Sequence, residues 1–139
     1  MKPTDSELEI LHLLWQLGPS TVRTVNDRLN ERRLVGYTTT LKLMQIMHEK
    51  GLVDRTEEGR THTYQPTVTE AETQTLLLQE FVDQAFRGSA MKLVIQTLGN
   101  HEASSAELDE IKALIAQIEG THSGPETDSD AGGKNPTLP

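Results

Sequence analysis

Tyr37-Thr38-Thr39-Thr40-Leu41-Lys42-Leu43-Met44-Gln45-Ile46-Met47-His48-Glu49-Lys50-Gly51-Leu52-Val53-Asp54-Arg55 is the stretch that decides the fold. It reads as a short amphipathic helix opened by threonines and stopped at Gly51, running straight into a strand that begins Leu52-Val53. Thr56-Glu57-Glu58-Gly59 supplies turn chemistry, and Thr61 to Gln65 is β-prone and alternating, so strand, tight turn and return strand follow the helix. Helix then hairpin is the order of a winged helix. No acid sits at the start of this helix, where Tyr37, Thr38, Thr39, Lys42 and Gln45 offer donors and acceptors suited to base edges and phosphates. The pattern predicts a recognition helix followed by its wing.

Upstream, Thr4-Asp5-Ser6-Glu7 is a capping box that opens a first helix to about Gln16, with Leu8, Leu11, Leu14 and Trp15 as its expected buried stripe. Gly18-Pro19 stops it, because Gly accepts the left-handed cap and Pro cannot continue a helix. Ser20-Thr21 allows a very short strand and an N-cap. Val22, Val25 and Leu29 then mark the inner face of a second helix reaching about Arg32, with Arg23 and Arg28 outside that stripe. A loop through Leu34, Val35 and Gly36 leads to the third helix, where Leu41, Met44 and either Met47 or Ile46 should pack inward.

Downstream, Thr69-Glu70-Ala71-Glu72 is a second capping box, opening a helix to about Phe86. Ser89 can cap a shorter helix through Leu98, and Ser104-Ser105-Ala106-Glu107 is a third box, opening a helix that should end before Gly120. Some fifty residues in three helices make a thin core, yet apolar positions are plentiful, which suggests that a second copy completes it. Leu77, Phe81, Val82, Leu93, Val94, Leu108, Ile111, Leu114, Ile115 and Ile118 are the candidate dimerisation residues. From Thr121 onward Gly, Ser, Thr, Asp and Pro dominate, the composition of a disordered tail. The expected fold is mainly α with a small β-hairpin: a winged helix-turn-helix domain over 1–67, a three-helix dimerisation domain over 68–120, and a tail over 121–139.

A net charge of -8 on 139 residues argues at first against nucleic acid, but the charge is unevenly placed. Residues 1–66 hold 9 Lys/Arg against 9 Asp/Glu, while residues 67–139 hold 4 against 12. Local patches, rather than net charge, set phosphate affinity. Arg23, Arg28, Arg32, Arg33, Lys42, Arg60 and His62 fall on the segments expected to face DNA. There is no cysteine, which removes disulfides, thiolate metal sites and cysteine nucleophiles together. No long apolar run or signal-like start points to membrane insertion or export, so a cytoplasmic location is expected.

In this order and spacing, Glu7-Leu8-Glu9-Ile10-Leu11-His12-Leu13-Leu14-Trp15, Thr21-Val22-Arg23-Thr24-Val25, Tyr37-Thr38-Thr39-Thr40-Leu41-Lys42 and Glu49-Lys50-Gly51-Leu52-Val53 make a specific combination. The chain resembles the penicillinase repressor family of bacterial transcription repressors, the BlaI/MecI type, over about residues 4–120. The resemblance implies a homodimer that binds a palindromic operator through N-terminal winged-helix domains, with control by a membrane-bound metalloprotease that cleaves the dimerisation region. Two positions depart from the family. Ile46 stands where an Arg is common, and Gln96-Thr97 stands where the β-lactam regulators carry an Asn-Phe cleavage bond. The cysteine cluster of copper-responsive relatives is missing.

The candidate DNA-contacting set is therefore Thr21, Arg23, Tyr37, Thr38, Thr39, Lys42, Gln45, Arg60 and His62. No enzyme is expected. His12, His48, His62, His101 and His122 are far apart without metal-ligand spacing, and no phosphate-binding glycine loop or nucleophile elbow occurs. No cofactor or metal is called for. The competing readings are a winged helix that docks protein through its wing and a regulator gated by a small ligand in the helical region.

Overall fold

In the computed structural model, which describes residues 2–100 and 102–123, the elements follow the order α1 (Asp5–Leu17), β1 (Ser20–Thr21), α2 (Val22–Leu29), α3 (Tyr37–Glu49), β2 (Val53–Glu58), β3 (Thr61–Pro66), α4 (Glu70–Phe86), α5 (Ala90–Asn100) and α6 (Ser105–Ser123). The chain divides into two units, Met1–Ser89 and Ala90–Pro139. The fold is mainly helical with one small sheet, as the sequence pattern predicts.

The capping box at Thr4 is formed: Thr4 Oγ1 accepts the Glu7 N–H at 3.2 Å and Glu7 Oε1 accepts the Thr4 N–H at 2.9 Å. The buried face of α1 is Glu7, Ile10, Leu11 and Leu14, one step round from the expected stripe; Leu8 and Trp15 are only half-buried. Two polar demands rotate it. The Trp15 indole N–H needs an acceptor and donates to the Val68 carbonyl at 2.9 Å, which keeps the ring at the rim. Glu7 goes inside because the Lys50 ammonium donates to its Oε1 at 2.5 Å. Burial alone would push the Glu7 carboxyl up, but Lys50 and the Thr4 N–H outweigh that and hold it below its ordinary value.

The third helix ends in a Schellman motif. Leu52 N–H donates to Met47 O at 2.9 Å, Gly51 N–H donates to His48 O at 3.1 Å, and Gly51 takes the left-handed φ of 82° that the motif requires. Met47, not Ile46, is the inward residue, and it joins Ile10, Leu11, Leu14, Val25, Leu29, Met44, Leu52, Val53 and Tyr64 in one core. Three antiparallel strands lie in the order β1-β3-β2. Pairing of Glu58 with Thr61 leaves Gly59-Arg60 as a two-residue turn, with Gly59 at a φ of 67°.

The spatial division falls at Ser89, whereas the end of the hairpin and the Thr69 capping box set the expected boundary at residue 67. Within the first unit Lys2 pairs with Glu80 at 3.3 Å and His12 with Glu70 at 3.8 Å, so α4 is tied to the winged helix. Thr69 and Glu72 form the expected second box and Ser104 and Glu107 the third. Gly120 does not stop α6, which continues through Ser123; a single helical Gly costs only about 1 kcal/mol. His101 lies outside the described residues, as do residues 124–139 of the expected tail.

Candidate nucleic-acid interface

Asn26, buried on α2, sets the start of α3. Its Nδ2 donates to Thr40 Oγ1 at 2.8 Å and to the carbonyls of Val35 and Gly36 at 3.1 and 3.2 Å. Thr40 is thereby turned into the core, while Thr38, Thr39, Lys42 and Gln45 stand exposed. These four share one face of α3 by helical spacing, and no acid occupies the first turn. Glu49 is exposed in the last turn and bounds the polar stripe at that end. Ile46, where the family commonly has Arg, is half-buried here and offers no polar contact.

Beside this stripe lies a cleft of about 340 Å³ lined by Thr21, Val22, Arg23, Tyr37, Leu41, Arg60, Thr61, His62 and Tyr64. It joins the start of α2, the start of α3 and the wing, and it contains no carboxylate. The Arg23 guanidinium sits over the Tyr37 ring, 5.4 Å from its centroid, within cation–π range. The His62 ring stands edge-on to Tyr64 at 6.5 Å. Five of the nine candidate DNA residues, Thr21, Arg23, Tyr37, Arg60 and His62, thus converge on one cleft, and the other four form the adjoining stripe. Thr21 has a prior engagement: its hydroxyl caps α2, accepting the Thr24 N–H at 3.2 Å, and donates to Thr24 Oγ1 at 3.2 Å.

Two of the arginines expected to face DNA are engaged in ion pairs. Arg33 pairs with Glu9 at 2.6 Å and Arg28 with Glu31 at 3.9 Å, and Arg28 and Arg32 line a separate cleft of about 380 Å³ that also holds Glu9 and Glu31. Mixed charge makes that cleft a poor phosphate site. Glu57 pairs directly with His62 across the hairpin and shares its face. Arg55 pairs with Tyr64 on that same face, a cation the sequence reading passed over. Strand alternation could have revealed both once the register was known.

A sequence profile of the penicillinase repressor family matches residues 3–117. The chain belongs to the penicillinase repressor family. This is a family of transcriptional repressors, not of enzymes, and it makes the chain a DNA-binding transcriptional repressor. Among its relatives, the transcriptional regulator BlaI of Mycobacterium tuberculosis is 29% identical over 123 residues, covering 85% of this chain and 86% of that protein. The penicillinase repressor of Bacillus licheniformis is 21% identical over 114 residues, covering 82% and 89%. In fold the chain is similar to hsRosR-S4, solved as a complex, with a TM-score of 0.50, 16% identity and coverage of 86% and 91%. Among the described residues no helix of this family member is long and apolar enough to cross a membrane.

Proposed function

We propose that this penicillinase repressor family member represses transcription from the cytoplasm as a homodimer that reads a palindromic operator. The observation that carries the reading is the polar stripe of Thr38, Thr39, Lys42 and Gln45, with no acid in the first turn of its helix, together with the carboxylate-free cleft holding Arg23, Arg60 and His62. A helix stripe of donors and acceptors suits base edges in the major groove, and clustered cations beside it suit backbone phosphates. One such stripe per chain reads one half-site, so a palindrome needs two chains, with half-sites about 34 Å or a multiple apart.

The apolar side chains exposed on α5 and α6, among them Val94, Ile95, Leu114, Ile115 and Ile118, are the dimerisation surface in this reading, with exposed Phe81 and half-buried Leu77 of α4. Val82 contributes little to such a surface, being already buried within the single chain. Relief of repression by a membrane-bound protease would act here too. Gln96-Thr97 lies inside α5, so cutting it requires that helix to open first.

Titrating the purified protein against duplexes from upstream of its own gene, over a salt series, tests the proposal. Affinity should fall steeply with salt because neutralised phosphates release counterions. Docking of protein on the wing would respond little to salt, and a salt-insensitive complex would overturn the DNA reading.

A further inference from the structure

Arg23, Arg60 and His62 come from three different places in the chain, the start of α2, the wing turn and β3, and they line one cleft. The Arg23 and Arg60 guanidiniums share this cleft and repel one another, and the lining includes no acid to compensate. A guanidinium in such company would ordinarily swing into solvent. Arg23 instead stays at 5.4 Å over the face of Tyr37, the first residue of α3. Tyr37 is 43% exposed, so its ring forms a wall of the cleft mouth and is not part of the core. The negative face of this ring attracts the guanidinium and holds it there.

Resting on the DNA-binding reading, we infer that this cleft is a seat for a single backbone phosphate, held jointly by Arg23 from the helix side and Arg60 from the wing side, with Tyr37 as the positioning residue that aims Arg23 into it. One phosphate between the two arginines relieves their repulsion and fixes the wing relative to α3, so the seat sets the register in which Lys42 and Gln45 meet base edges. His62 stands at the same cleft as a further donor. Glu57, which faces His62 across the hairpin, keeps a second phosphate from settling farther out along the wing.

Shared and separate contacts differ in what salt reports. The full-length protein is titrated with a fluorescent random-sequence duplex over a potassium chloride series, since a phosphate seat acts on any sequence. If Arg23 and Arg60 share one phosphate, the Arg23→Ala, Arg60→Ala double variant loses about 0.9 from the log–log salt slope per protomer; two separate contacts lose about 1.8. Arg23→Ala alone should weaken binding about tenfold. Tyr37→Leu should weaken it by a similar factor and add nothing in the Arg23→Ala background, whereas Tyr37→Phe, which keeps the ring face, should bind like the parent. A merely structural Tyr37 would show its effect in both backgrounds.

A slope loss near 1.8 in the double variant, or Tyr37→Leu binding like the parent, overturns the seat while leaving the DNA-binding reading intact. A parent protein that binds no duplex at any salt overturns that reading and the seat with it. The slope measurement does not use Tyr37, so it decides the question even if the Tyr37→Leu chain misfolds.

Discussion

The two units of this molecule use apolar residues in opposite ways. In the first, Ile10, Leu11, Val25, Met44 and Met47 are fully enclosed at 0% exposure. In the second, α5 has no buried residue, and Ile95 at 63% and Leu114 at 55% lie open although they sit at helical spacing. Both sequences are patterned for burial, but only one closes on itself. The winged helix has a sheet, a tryptophan rim and three helices to surround its stripe, while among the described residues of the second unit two helices of 11 and 19 residues have too few neighbours to surround theirs. An amphipathic pattern therefore announces that a face will be covered without saying by what.

The largest effect expected from this contrast comes from charging the open face. Leu114→Asp should leave the winged helix folded but separate the proposed dimer, with operator affinity falling by about 10² to 10⁴ as the second half-site contact ceases to be intramolecular. Sedimentation at micromolar concentration checks it, and a variant that remains dimeric breaks the comparison. Next, Leu11→Ala should cost about 2–5 kcal/mol in denaturant unfolding followed through Trp15, because the enclosed site cannot collapse onto the cavity. The same truncation at Ile95 in a chain kept monomeric should cost far less, and equal costs would erase the distinction between the units.

Smaller effects sharpen it within the first unit. Lys42→Ala should lower DNA affinity by about 1–3 kcal/mol with loss of sequence preference if Lys42 reads a base, or weaken all sequences alike if it holds phosphate, with no change in melting temperature. Glu7→Gln should lower stability near neutral pH and flatten its dependence on acid. The Glu7 carboxyl is held below its ordinary value in the folded chain, so its contribution is present above the unfolded carboxyl range and is lost as pH falls through the folded value. The variant should thus show a flatter fall in melting temperature below about pH 4, near the unfolded carboxyl value. A parallel fall in both proteins would remove Glu7–Lys50 from the stability balance.

What the sequence made legible was local. The three capping boxes are each closed within three residues, Gly18 and Gly51 stop helices where a left-handed φ is needed, and Gly59 turns the hairpin. What it hid was anything whose partner lies far away. The face of α1 turned because Lys50 meets Glu7 across 43 positions and Val68 meets Trp15 across 53. Asn26 looked like an ordinary helical residue, and only the folded chain brings it to Thr40. The candidate DNA residues were identifiable one by one from chemistry, but their sorting into a stripe and a cleft required the register of β2 against β3.

The third helix is fastened at both ends, by Asn26 at the first turn and by the Glu7–Lys50 pair at the last. Its freedom has been given up in folding, so docking on a duplex asks little further ordering of it. The compliant partner in the encounter is then the DNA. Where groove and helix do not match, the duplex must bend or twist to meet a stiff protein, and base pairs that no side chain touches will influence affinity through how readily they deform.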